Sequence, residues 1–419
     1  MTTPSFSRLG SANTYDTARS NLMSRQTALS NAQEHLTSGK RVSTASDDPT
    51  AAAQAERALT RISRIQTDQR ALEAQKSSIA QAESTLGDVN DALQNFRELV
   101  VSAGNGAYSA SERKSIAGQL SGLRDQVFAL ANRKDTNGQP LFGALASALT
   151  PFVGPQSVAP DYTFNGLPGQ TASSEIAIPF ALDGDSAFML QAKRDGVFNT
   201  TAVSAANTLK TDQVVLTNAA LVTGSSYTIS GISIGPGSAA GMNKASYTLT
   251  ETVAGSSTPL LPGVSSSGPD YASASTTIPI ALPGLSFNLI GTPTLGDSVT
   301  LTPSASIFSV MDNAIRDIGS ATTNTQATQA VSQALGNIDI GMGRISAVRG
   351  QAGDLLNRAD RISSNQDKRS IQLESDRSRA EDLDMVKGIS DFQNQQTGYQ
   401  AALQSYAQVQ KLSLFNYIG

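Results

Sequence analysis

At 419 residues the chain has room for about two to four domains. A net charge of −4 with 16% charged residues gives neither the basic excess of a nucleic-acid binder nor a charge block for an anionic membrane. The absence of cysteine removes disulfides, thiolate metal sites and cysteine nucleophiles, and it suits a chain that works in an oxidising space.

Only 5% of residues are aromatic and none is Trp, which fits narrow seams in an extended molecule better than one thick core. The stretch from Met1 to Leu36 has no positively charged start followed by an apolar run, so no cleavable secretory signal is expected. No apolar run reaches the roughly 18 residues of a membrane helix.

In chain order, Tyr15, Leu22, Leu29 and Leu36 fall seven apart, and Gly39 then predicts a helix stop. Asp47-Asp48-Pro49 predicts a new start, with Asp48 as N-cap and Pro49 in the first turn. From there Ala58, Ile65, Leu72, Ile79, Leu86, Leu93 and Val100 hold a seven-residue register, with Ile62, Val89 and Phe96 beside it. Such a register predicts one long coiled-coil-like helix of about 80 Å at 1.5 Å per residue.

Gly104-Asn105-Gly106 breaks that helix, and Ser109 with Glu112 predicts a capping box for the next. That helix carries Ile116, Leu120, Leu123, Val127 and Leu130 on one side. Asn137-Gly138 reads as a tight hairpin turn, with Leu141 and Phe142 on the returning strand.

Residues 151–305 are rich in Thr, Ser, Gly and Pro and alternate as strands do, for example at Tyr227-Thr-Ile229, Tyr247-Thr-Leu249 and Phe287-Asn-Leu289. Ile178–Gly184 matches Ile278–Gly284 in pattern, which fits either a duplicated β-unit or chance in a biased region. Helical periodicity then returns. Ile338, Ile345, Ala352 and Ala359 form one seam, with Val348, Leu355 and Ile362 beside it. Met385, Phe392, Tyr399 and Tyr406 form another, flanked by Ile389 and Leu403.

A narrow apolar seam cannot be buried by one helix alone. The fold class expected is therefore α+β: an elongated rod of antiparallel N- and C-terminal coiled-coil helices with an inserted antiparallel β-rich head. The expected domains are a terminal helical one (1–40 with 385–419), a rod (41–150 with 306–384) and a surface-exposed β-rich region (151–305), itself divisible into two β units.

No chemistry of catalysis is legible. His35 is the sole histidine, so an HExxH zinc motif is impossible, and a seam or surface role is expected. Gly235–Gly241 has neither dinucleotide spacing nor a P-loop lysine and reads as a hairpin loop. Asp183-Gly-Asp185 offers too few carboxylates for calcium and reads as a strand turn. The arginines from Arg57 to Arg70 read as a solvated helix face. No enzyme activity and no cofactor are expected.

Several motifs resemble the flagellin superfamily. At the N-terminal end they are Gln26–Gln33, Leu36-Thr-Ser-Gly39-Lys-Arg41, and Ser46-Asp47-Asp48-Pro49 followed by Ala51–Ala53. Asn132, Asn137-Gly138 and Leu141-Phe142 are similar to the family's stretch after its third helix. Leu295-Gly296-Asp297-Ser298-Val299 with Pro303 and Ile307-Phe308 resembles the end of an outer domain. Ala401–Tyr406 and Leu412-Ser-Leu414-Phe415-Asn-Tyr417 resemble a terminus of the hook-associated branch. Asp48-Pro49 and Phe415-x-Tyr417 depart from filament flagellins.

The resemblance implies a structural subunit at the hook–filament junction. Its implied partners are further copies of itself in a ring, the hook-side protein FlgK, flagellin and the export chaperone FlgN, and it would be secreted by the flagellar type III apparatus to the extracellular flagellum. Neither nucleic acid nor membrane insertion is implied. A filament flagellin is the alternative, with a secreted coiled-coil adhesin further off.

The period alone leaves the terminal seams open between ordinary core and assembly contacts. With the resemblance, the assembly interface is placed on Tyr15, Leu22, Leu29, Leu36, Met385, Phe392, Tyr399, Leu403, Tyr406, Leu414, Phe415 and Tyr417. Short helices with little area to bury are marginal in water, so these are expected to order only against neighbouring subunits. Hydrogen exchange on purified monomer should find residues 10–36 and 385–410 unprotected, and strong protection there would sink this expectation.

Overall fold

The computed structural model describes residues 11–145, 150–157, 160–203, 209–253, 259–294 and 296–418. Three helices come first: α1 (Ser11–Ser38), α2 (Pro49–Ala103) and α3 (Ala110–Ala131). A small hairpin, β1 (Phe152–Val153) and β2 (Thr163–Phe164), precedes two short helices, α4 (Gly184–Phe188) and α5 (Ala192–Asp195). The strands β3 (Phe198–Val203), β4 (Lys210–Thr211), β5 (Val215–Leu216), β6 (Ser226–Pro236), β7 (Met242–Thr252), β8 (Pro259–Ala272), β9 (Thr277–Leu282), β10 (Leu285–Ile290) and β11 (Ser298–Pro303) follow. The helices α6 (Ile307–Ser320), α7 (Asn324–Glu381) and α8 (Met385–Ile418) come last. The architecture is α+β, with long N- and C-terminal helices paired and an antiparallel β region inserted between them, as the sequence pattern requires.

Contacts divide the chain into two units, Met1–Arg70 with Ser363–Gly419, and Ala71–Ile362. In the second, α2 lies antiparallel to α7. Lys76 pairs with Asp360 at 2.7 Å, Glu83 with Arg349 at 2.7 Å and Arg97 with Asp339 at 2.9 Å. These surface pairs contribute little each. The energy lies in the seam, where Ile79, Leu86, Val89, Leu93, Phe96 and Val100 are fully buried with Ile338, Ile345 and Ala352. Burial of a side chain of this size stabilises by about 1.5–3 kcal/mol.

Helix α3 starts on the expected capping box. The Ser109 hydroxyl accepts from the Glu112 N–H, and the Glu112 carboxylate accepts from the Ser109 N–H at 2.6 Å. Its Leu120 and Val127 are fully buried, and α6 packs beside it, with Phe308 against Phe128 and Gly319 against Ala117. The Asn137-Gly138 turn forms, but Leu141 and Phe142 follow it as a buried turn with one isolated bridge, Lys134 to Pro140, instead of a strand.

Aromatic side chains gather where the β1–β2 hairpin meets these helices. Phe308 has ring contacts of 5.2 Å to Phe128, 5.2 Å to Tyr162, 5.6 Å to Phe152 and 5.8 Å to Phe188. The Asn132 side chain pairs with Phe152 as a strand would, accepting from its N–H at 2.9 Å and donating to its carbonyl at 3.1 Å. Beneath the rings, the Tyr162 hydroxyl donates to Asp312 at 2.6 Å, and Arg124 reaches both, at 3.1 Å and 3.2 Å.

The five-stranded sheet runs β3-β11-β6-β7-β8, and β9 with β10, β4 and β5 forms a smaller one; every pairing is antiparallel. Tyr227, Ile229, Tyr247 and Leu249 point into one core with Ile278, Ile280, Phe287 and Leu289. The opposite face of the larger sheet is hydroxyl-rich, with Thr201, Thr300, Thr228 and Thr250 in one row. This is the alternation of a sheet with one wet face. The 237–241 segment is the hairpin loop between β6 and β7, closed by the Gly237 N–H donating to the Met242 carbonyl at 2.8 Å.

An amide row on α7 meets the outer edge of β3. Gln333 accepts from the Thr200 N–H at 3.3 Å, Asn337 donates to the Phe198 carbonyl at 3.0 Å, and Gln329 accepts from the Thr211 N–H of β4 at 2.7 Å.

Ile178–Gly184 is irregular chain leading into α4, whereas Ile278–Gly284 is β9 and its turn, so of the two readings of their match the structure favours chance over a duplicated β-unit. Asp183 is not in a strand turn: it caps α4, accepting from the Asp185 N–H at 3.1 Å. Leu295, one of the family-like residues, lies outside the described residues.

Burial holds the Asp312 carboxyl above the usual aspartate value near 3.8, against the opposing pull of Tyr162 and Arg124. A raised folded-state pKa gives stability that is present below that value and lost as pH rises through the elevated one. Urea titrations across this window should therefore show a fall in stability with rising pH that is absent in Asp312→Asn.

Candidate assembly surface

The terminal helices leave the long pair through a clasp. Gly39, at φ +69°, ends α1 in the left-handed conformation that glycine adopts without strain. The chain then runs antiparallel to 381–383. The Arg41 and Val42 N–H groups both donate to the Glu381 carbonyl, at 2.7 and 3.3 Å, and the Leu383 N–H donates to the Gly39 carbonyl at 2.9 Å.

Side chains tighten this clasp. Lys40 pairs with Glu381, and the Arg41 guanidinium donates to the Ala380 carbonyl at 2.8 Å and reaches Asp48 at 3.3 Å. The His35 ring Nδ1 donates to the Lys40 carbonyl at 2.8 Å, which is a helix-end role and not a ligand's. Val42 is buried with Ala51, Ala55 and Ala380.

Both onward helices start on an aspartate. Asp48 accepts from the Ala51 N–H at 3.0 Å and the Thr50 hydroxyl at 2.7 Å, and these bonds, the Ala51 one first, lower its pKa to about 2. Asp384 accepts from the Val386 and Lys387 N–H groups at 3.0 and 3.2 Å, starting α8.

From the clasp, α1 and α8 pack antiparallel. Leu36 lies beside Gly388, and Arg25 beside Gly398. Gly388 is buried, and a Cβ there would fall 2.6 Å from Leu383 Cδ2 and 3.3 Å from Leu36 Cδ2, so the close approach depends on a residue with no side chain.

The structure brings Leu22, Leu29 and Leu36 of α1 and Phe392, Tyr399 and Tyr406 of α8 onto this pair, all half-buried. Met385 and Leu403 instead stay 48% and 41% exposed. Tyr15, Leu414, Phe415 and Tyr417 lie within the helices, but their side chains are outside the described residues.

Three further apolar side chains stand on the surface: Met23, Ile389 and Val386, the last 78% exposed. Ile389 flanks the seam in the sequence. Met23 and Val386 lie off it, and the one signal for them is an apolar residue where a paired helix would carry a polar one.

This is the opposite of the α2 seam. No described apolar side chain of α1 or α8 reaches the full burial of Leu86 or Leu93.

No group of three or more potential metal ligands occurs among the described residues, and no described helix is long and apolar enough to cross a membrane. A groove of about 420 Å3 beside α2 is lined by Arg57, Arg61, Asp376 and Arg379 over Ala58 and Leu373. Arg57, Arg61, Arg64 and Arg70 are exposed, the solvated face expected.

The fold is that of a protein whose paired helices come from both chain ends, around an inserted antiparallel β region. The N-terminal helical region of bacterial flagellin matches residues 11–146 and the C-terminal helical region matches 335–418, more than half of the chain together, and the chain belongs to the flagellin family.

Flagellar hook-associated protein 3 of Salmonella typhimurium is 36% identical over 149 residues, covering 35% of this chain and 46% of that protein. The Escherichia coli protein of that name is 40% identical over 123 residues, covering 28% and 38%. The chain thus spans less than half the length of these curated relatives. The crystal structure of hook-associated protein 3 from Legionella pneumophila superposes with a TM-score of 0.58 at 24% identity, covering 76% of this chain and 97% of that one, a likeness of fold.

Gly388→Val should separate α1 from α8 while leaving the long pair intact. The expected result is loss of assembly into filament-bearing flagella in cells, with a melting temperature unchanged within a few degrees; normal assembly would remove the close approach from its role.

Proposed function

We propose that this chain is a structural subunit of the bacterial flagellum that joins the hook to the filament, and that it works by packing and not by catalysis. The observation that carries this reading is the pair of family-matched chain ends, which resemble hook-associated protein 3 and meet in a helix pair whose apolar side chains stay half-exposed. Such a pair is stabilised further only when neighbours cover it.

The contact residues of this assembly are Leu22, Leu29, Leu36, Met385, Phe392, Tyr399, Leu403 and Tyr406, with Tyr15, Leu414, Phe415 and Tyr417 toward the helix ends. The partners are further copies of the chain in a ring, FlgK on the hook side and flagellin on the filament side, with FlgN guarding the chain before export through the flagellar type III apparatus. The place of work is the extracellular flagellum.

The absence of cysteine offers a direct test. Ala274 lies in an exposed turn between β8 and β9. Ala274→Cys, labelled on intact cells with a thiol-reactive dye, should give one focus at the cell-proximal end of each filament. Dye along whole filaments would make the chain a filament flagellin, and dye on cell bodies without filaments would overturn the flagellar reading.

A further inference from the structure

The α7 seam repeats every seven residues through Ile338, Ile345, Ala352, Ala359, Gln366, Leu373 and Ala380, and all seven are buried. Six are apolar. Gln366 is 6% exposed, and neither its Oε1 nor its Nε2 meets a hydrogen-bond partner in the chain.

Other buried amides on these helices are satisfied. Gln75 accepts from the Ile178 N–H at 3.1 Å, and Gln333 bonds both Thr200 and Thr211. A buried amide without a partner favours any state that lets water reach it.

The surrounding sequence adds to the weakness. From Ser363 to Gln372 the chain has a single apolar residue, Ile371, and that side chain is 70% exposed. About three turns of α7 thus bring no buried apolar side chain of their own to the pair, and Gln366 is the one buried residue among them. On the surface, Gln69 donates to Asp367 at 2.6 Å, a contact open to solvent. Few buried apolar contacts and exposed hydrogen bonds mark the segments that open first.

We propose that this layer is a built-in opening point: α7 between Ile362 and Leu373 detaches and recloses without unfolding of the flanking seam, and Gln366 sets how often. A polar group at a seam position also fixes the register in which the helices reclose, at a cost in stability. The inference concerns a single chain and stands whether or not the junction reading holds.

Hydrogen exchange on the full chain, with Gln366→Met as the comparison, tests it. Methionine keeps the shape of glutamine and removes the amide. In the unaltered protein, amides of 363–372 should open roughly tenfold more often than those of 345–359. In Gln366→Met that excess should vanish and the melting temperature should rise. Gln366→Glu, which buries a charge, should enlarge the excess. Equal protection across the two segments in the unaltered protein would overturn the proposal. So would a methionine variant that exchanges no more slowly, melts lower or fails to fold.

Discussion

A helix whose apolar residues recur every seven positions can hide that stripe only against another helix, and this constraint sets the topology. The stripe on α2 finds its partner in α7, so that Arg97 meets Asp339 across 242 residues of sequence. Everything between must leave and return at neighbouring points. The β region is therefore an insertion, and its strands pair antiparallel among themselves, as segments do when short turns connect them. Closing so long a loop costs entropy that grows only slowly with length, so an insertion of this size is tolerated once the helical seam is strong.

The β region is in turn tied to the helices at a few places. Phe308 at the start of α6 collects the rings of Phe128, Phe152, Tyr162 and Phe188. The Arg344 guanidinium on α7 meets Asp195 at 3.2 Å and the Ser186 carbonyl, holding α4 and α5. The terminal helices show the other regime. Their apolar residues are spaced as regularly as those of α2, yet Met385 and Leu403 remain largely exposed, because the described chain supplies no third helix to cover them. Equal periodicity thus gives a closed seam in one place and an open one in the other, and the difference is the number of partners.

Periodicity and capping were the legible parts of the sequence. Every predicted α2 position from Ala58 to Val100 is buried, and the starts at Pro49 and Ser109 rest on the hydrogen bonds their sequences require. These signals are local, or repeat at a fixed spacing. What was not legible depends on residues far apart. Arg124, Tyr162 and Asp312 carry no mark of their shared network, since each comes from a different segment. The Ile178 and Ile278 segments show the limit of a short match: the same apolar pattern is strand in one and irregular chain in the other, because Asp183 finds a helix to cap where Pro283 enters a turn. Gln366 was invisible for a related reason. A glutamine in an Ala-, Gln- and Ser-rich helix reads as surface until burial places it in the seam.

The amide row on α7 has a consequence for how such chains behave in a crowd. The outer edge of β3 would otherwise present free N–H and C=O groups, the template on which stray strands anneal. Gln333 and Asn337 bond that edge from the side of a helix, so the sheet ends against something that cannot be extended as a strand. An edge sealed in this way offers no template on which a strand of another molecule in a dense population could anneal.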